Sequence, residues 1–123
     1  MRRRKPKIND HGFSHTLDQN DDRQIVFTKQ REVRGFDQTE LWSLDVALAK
    51  HVLPRLAAFR EQNGSCPFTF TLEKWNSILD KMIFSFKFAA EERQFDLQVS
   101  KRTWIKVEQG LRLFSKHFFS LWT

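Results

Sequence analysis

The stretch DQTELWSLDVALAKHVLPRLAAF, residues 37–59, decides how this chain is read. Leu41, Leu44, Leu48, Val52, Leu56 and Phe59 recur at three- and four-residue steps, the spacing of one face of an α-helix packed against partners. Asp37 followed three residues later by Glu40 is a capping box that opens the helix, and Phe36 and Leu41 stand at the staple positions around it. Pro54 inside the periodic stretch lacks an N–H and crowds the preceding turn, so a bend is expected there, with Asn63 and Gly64 as the stop. At about 100° per residue, Asp45 projects into the apolar stripe. A carboxylate on a buried face needs a partner, and the expectation is that Asp45 meets Arg34, Arg55, Lys81 or Lys87, or caps a neighbouring backbone segment.

Two further helices follow. Thr71 is a good N-cap, with Phe70 and Trp75 at staple spacing, and Trp75, Ile78, Leu79, Met82, Ile83 and Phe86 form a second stripe. Phe84 and Phe88 fall on the opposite side among Lys74, Ser77, Asp80 and Lys81. They are expected either to be covered by residues 24–34 or to form a candidate interface. Ser100 caps a third helix whose stripe is Trp104, Val107, Leu111, Phe114, Phe118, Leu121 and Trp122. Gly110 inside it costs about 1 kcal/mol relative to alanine, which points to the close approach of a neighbouring helix. Between these elements, residues 24–30 (QIVFTKQ) and 66–71 (CPFTFT) read as short extended segments that could pair as a two-stranded β accessory. The fold class is therefore all-α: a three-helix bundle with a kinked first helix, in a single helical domain over 24–123, preceded by a flexible basic arm over 1–23.

Composition narrows the function. The 123 residues include 13 Phe and 4 Trp but no Tyr, an aromatic content suited to burial. One cysteine, Cys66, excludes an intramolecular disulfide and a multi-cysteine zinc site, and a reducing cytoplasm fits best. No membrane span is expected, nor a secretory signal, because no sufficiently long apolar run follows the basic opening. Of the net charge of +6, residues 1–35 carry nine Lys/Arg against five Asp/Glu and residues 100–123 carry five against one. The candidate anion or nucleic-acid surface is Arg2, Arg3, Arg4, Lys5 and Lys7 of the arm together with Lys101, Arg102, Lys106, Arg112 and Lys116 of the third helix. The bland reading of that stripe is a solvated helix face.

Enzymatic patterns are weak. His11 and His15 lack a helical context and a third ligand, His51 and His117 fall on helix flanks, and Cys66 lacks a defined histidine context. There is no glycine-rich phosphate loop, no GxSxG and no HExxH, so neither an enzyme nor a cofactor is expected.

GFDQTELWSLDVALAKHVLPRL (35–56), LEKWNSILDKMIFSF (72–86) and EQGLRLFSKHFFSLW (108–122) together resemble a family of small uncharacterised proteins of tailed bacteriophages and related mobile elements. The resemblance implies a bacterial host cytoplasm and a role accessory to infection, and it brings no activity, cofactor or binding residues with it. The expected function is a non-enzymatic phage accessory protein that works through a protein–protein interface with a host or phage protein, or by self-association. The alternative is a small basic module binding nucleic acid non-specifically.

Overall fold

The computed structural model describes residues 20–122 except 63, 65 and 68. Its helices are α1 (Arg23–Arg34), α2 (Thr39–Trp42), α3 (Leu44–Gln62), α4 (Leu72–Ala90) and α5 (Lys101–Lys116), with 3-10 turns at Arg93–Phe95 and Phe118–Ser120. The protein is mostly helical, and no strand occurs among the described residues.

α4 is the central element and packs against both α3 and α5. Its start is the expected one, for the Thr71 hydroxyl accepts from the Lys74 N–H at 3.1 Å. Trp75, Leu79 and Met82 are wholly buried, joined by Phe86 and by Ala49 and Leu56 of α3. Val52, Leu53 and Phe59 of α3, and Leu113, Phe114 and Leu121 from the C-terminal part, close around this cluster. Each fully buried side chain of this kind contributes about 1.5–3 kcal/mol relative to exposure.

α5 opens on Ser100, whose hydroxyl accepts from the Thr103 N–H at 3.1 Å. The reason for Gly110 is direct: a Cβ there would lie 1.9 Å from Ser85 Oγ and 2.2 Å from the Lys81 carbonyl oxygen of α4. At the same crossing the Ser85 hydroxyl donates to the Val107 carbonyl at 2.6 Å, so the helices meet backbone to backbone around a small, satisfied polar group. α5 ends at Lys116, and the Phe118–Ser120 turn, not a continued helix, carries the chain onward.

Three expectations are corrected. Residues 24–30 are helical, within α1: a β-branched run of three residues is outweighed by the longer RQIVFTKQREVR segment, in which Phe27 is the buried anchor. Consequently the β pair with 66–71 does not form; among the described residues of that segment, Phe70 N–H instead bonds Pro67 C=O in a turn. The helix predicted from residue 37 onward is interrupted at Ser43, which leaves the helical region at φ −141° and ψ 76°, while α3 continues through Pro54. Residues 1–19 of the proposed arm, and Asn63 of the expected stop, lie outside the described residues, and Arg23 belongs to α1.

α1 is tied to α2 through a polar hinge. Gly35, at φ 85°, supplies the left-handed turn that ends α1, and its N–H bonds the Arg31 carbonyl at 2.9 Å. The side chain of Gln30 then accepts from the Gln38 N–H at 2.8 Å, and Phe27 meets Trp42 edge to face at 5.9 Å.

Candidate functional site

Asp45 is not the buried charge. It is exposed, and its Oδ1 accepts from the Val46 N–H at 2.9 Å while its Oδ2 accepts from the Gln94 amide at 3.0 Å. None of Arg34, Arg55, Lys81 or Lys87 is recorded as its partner. The break at Ser43 explains the position: Asp45 stands in the first turn of α3, where free N–H groups and the helix dipole favour a carboxylate. Its link to Gln94 joins this helix start to the Arg93–Phe95 turn beyond α4.

The buried carboxylates are those of the capping box. Asp37 is 0% exposed; its Oδ2 receives Arg31 Nη1 at 2.5 Å and its Oδ1 receives the Thr39 N–H at 2.8 Å. Glu40 Oε2 accepts the Asp37 N–H at 2.8 Å, which completes the reciprocal arm of the box. Arg31 also donates to Thr28 Oγ1 at 3.0 Å, so one guanidinium binds α1 to the start of α2. The sequence carries the capping box but no signal that Arg31 completes it.

Phe84 and Phe88 separate. Phe88 is 3% exposed, packed edge to face on Trp104 of α5 at 5.1 Å with the Arg93 guanidinium 5.3 Å from its ring centre. Residues 24–34 are not what covers it. Phe88 therefore leaves the candidate interface, because α4 is packed on two sides and its second apolar side is core as well. Phe84 stays exposed at 38%.

Part of the stripe expected to be core is exposed apolar surface instead. Leu41, Leu44 and Leu48 are 46%, 48% and 53% exposed, whereas Val46, Ala47 and Ala49 are buried. Leu44 and Leu48 are i and i+4 on α3 and so adjoin each other on its surface, with exposed His51 and Arg55 continuing the row.

Lys101, Arg102, Lys106, Arg112 and Lys116 are all exposed on α5; Lys101, Arg112 and Lys116 lie on the side away from buried Val107 and Gly110, whereas Lys106, one turn before Gly110, flanks that buried side. Among the described residues, the one recorded ion pair of this stripe is Arg112 with Glu108 at 3.7 Å. Arg2, Arg3, Arg4, Lys5 and Lys7, with His11 and His15, lie outside the described residues.

His117 packs edge-on to Phe70 at 5.4 Å and to Trp75 at 5.7 Å. Burial, with Lys116 nearby, pushes its imidazole below the ordinary value, in keeping with a packing histidine. Burial likewise pushes the Lys50 ammonium down, opposed by Glu92. Cys66 Sγ donates to the Phe70 carbonyl at 3.0 Å, and no group of three or more His, Cys, Asp or Glu suited to a metal ion occurs among the described residues. No helix there is long and apolar enough to cross a membrane.

No family model, no curated protein and no solved structure matches this chain.

Proposed function

We propose that this chain is a non-enzymatic accessory protein of a tailed phage or related element, acting through a protein–protein interface in the cytoplasm of an infected bacterium. In this reading, α3, α4 and α5 form a three-helix bundle with a bend at Pro54, and the bundle is a scaffold that presents a binding surface. The observation that carries the proposal is the half-exposed row of Leu44 and Leu48 with Leu41 beside it. Large aliphatic side chains at i and i+4 facing water are a poor solvated surface and a good anchor for an apolar partner element. Exposed Phe84 is a second, smaller anchor.

The test is capture of a partner from infected cells by tagged wild-type protein and by the Leu44→Ser/Leu48→Ser variant, each with and without nuclease. The reading predicts a nuclease-resistant partner that the double variant loses. Equal capture by both proteins contradicts the assigned surface, and loss of the partner on nuclease treatment favours the alternative below.

That alternative is non-specific nucleic-acid binding. It is supported by the five exposed cations of α5, four of them without a recorded carboxylate partner among the described residues. Such binding would weaken steeply with salt as condensed counterions are released. Reversal of Lys106, Arg112 and Lys116 to Glu should then lower affinity for every sequence and flatten the salt dependence.

A further inference from the structure

α5 and the turn that follows it carry exposed apolar side chains beside positive charge. Lys101, Ile105, Arg112 and Lys116 stand within about 60° of one another around the helix, on the side away from buried Val107 and Gly110. Ile105 is exposed among these cations, and Trp104 and Leu111, seven residues apart and also exposed, run along one flank of that side. Past Lys116 the chain leaves the helix in the Phe118–Ser120 turn, and Phe118, Phe119 and Trp122 are 50%, 90% and 72% exposed. Residues 109–123 contain no Asp or Glu, and Glu108, the single acid of α5, is paired with Arg112 at 3.7 Å.

We infer that this part of the chain binds the surface of an anionic lipid bilayer, with α5 resting on the headgroups and the rings beyond it entering the boundary between headgroup and acyl chain. Charge selects an anionic surface: four of the five cations of α5 have no recorded carboxylate partner among the described residues, and each Lys or Arg near acidic headgroups adds to the attraction. Shape selects a deformable one. A ring left 90% exposed stands clear of the fold, and a folded partner accepts it only in a pocket made for it, whereas the headgroup boundary opens around it. Ring geometry sets the surface apart from a base-stacking platform. Phe118 meets Phe114 and Phe119 edge to face, at interplanar angles of 74° and 85°, so successive rings offer no common plane to consecutive bases of a single strand. Ile105 and Leu111 have no ring to stack and add area only to an apolar contact. The chain rests on the bilayer and does not cross it, in keeping with the lack of a sufficiently long apolar helix among the described residues. This inference goes beyond the protein–protein reading and uses a surface separate from Leu44 and Leu48.

The test is co-sedimentation of the full chain with sucrose-loaded vesicles of phosphatidylglycerol and phosphatidylcholine in equal parts, and with vesicles of phosphatidylcholine alone, at about 100 mM salt. Wild type should prefer the anionic vesicles by on the order of tenfold, and the preference should shrink as salt is raised. Arg112→Glu/Lys116→Glu should lower affinity for the anionic vesicles by on the order of tenfold or more. Phe119→Ser/Trp122→Ser keeps every cation and should lose affinity to a similar degree. Trp122→Phe keeps an apolar ring and should bind nearly as wild type does. The difference in emission between wild type and Trp122→Phe isolates Trp122, whose emission should move to shorter wavelength on anionic vesicles. Circular-dichroism melts of all variants establish that each is folded.

Absence of binding by wild type, equal binding to both kinds of vesicle, or undiminished binding by either double variant each overturns the inference. So does capture of a single-stranded oligonucleotide in place of vesicles, which gives the surface to nucleic acid. A dimer in sedimentation velocity that Phe119→Ser/Trp122→Ser abolishes overturns it too, because a second copy then covers the rings. Leu44 and Leu48 are untouched in these proteins. Capture of a nuclease-resistant partner without vesicle binding therefore means that the bilayer inference alone has failed, and vesicle binding without capture means that the protein–protein reading alone has failed.

Discussion

α4 and the segment from α1 to the second turn of α3 are both rich in apolar residues, yet they use them in opposite ways. α4 buries Trp75, Leu79, Met82, Phe86 and Phe88 because it has a helix on each side. The N-terminal segment buries Phe27 but leaves Ile25, Val33, Leu41, Leu44 and Leu48 facing water, and it is fastened by Arg31, Asp37 and Glu40. Apolar periodicity thus reports a face that can be buried; whether it is buried depends on the number of elements available to cover it. The contrast predicts that the two regions respond to different perturbations.

The largest effect is expected at the polar fastening. Asp37→Ala leaves Arg31 beside an empty site and removes half of the capping box, and breaking a buried pair in this way costs about 3–5 kcal/mol. Because α1 is held mainly by this network, hydrogen exchange should show α1 and α2 amides losing protection while those of α4 keep theirs. Uniform loss across both regions would erase the distinction between them.

The α4–α5 crossing is the next most sensitive point. Gly110→Ala gains helix propensity but drives a methyl into Ser85 and the Lys81 carbonyl, so stability should fall by about 1–3 kcal/mol by denaturant titration. Adding Ser85→Ala should not rescue it, since the Lys81 carbonyl oxygen remains 2.2 Å from the new Cβ. Full rescue would mean that the helices are not in backbone contact.

How much of this is legible in the sequence follows the same contrast. The caps at Thr71 and Ser100, the stripe of α4 and the close approach at Gly110 are all readable, because each depends on local chemistry or on a helix with neighbours. The Leu41 to Phe59 stripe misleads because its spacing continues across Ser43, a break marked by neither proline nor glycine. Asp45 then looks like a charge in the core, although it belongs to a helix start. Phe88 is misassigned by its position on the wheel, which shows which side is apolar but not that α4 is covered on two sides. Arg31, six residues before Asp37, becomes a partner only through the turn at Gly35.

A smaller effect is expected at His117. Its imidazole is held below the ordinary value of 6.5 in the folded chain, so below that pH the unfolded state binds more protons. Stability should therefore be constant above about pH 7 and decline as pH falls from about 6.5 toward the lowered folded value. Urea midpoints at these pH values test the sign, and His117→Phe should remove this part of the dependence. A midpoint that rises on acidification through this window in the wild type but not in His117→Phe would contradict the assignment.

The most direct measurement is the unfolding free energy of Leu44→Ser/Leu48→Ser against wild type in the same buffer. If these leucines form a surface, the double variant should lie within about 1 kcal/mol of wild type, as surface changes do. A loss of several kcal/mol, of the size seen when core leucines are truncated, would return them to the core and remove the surface on which the proposed function rests.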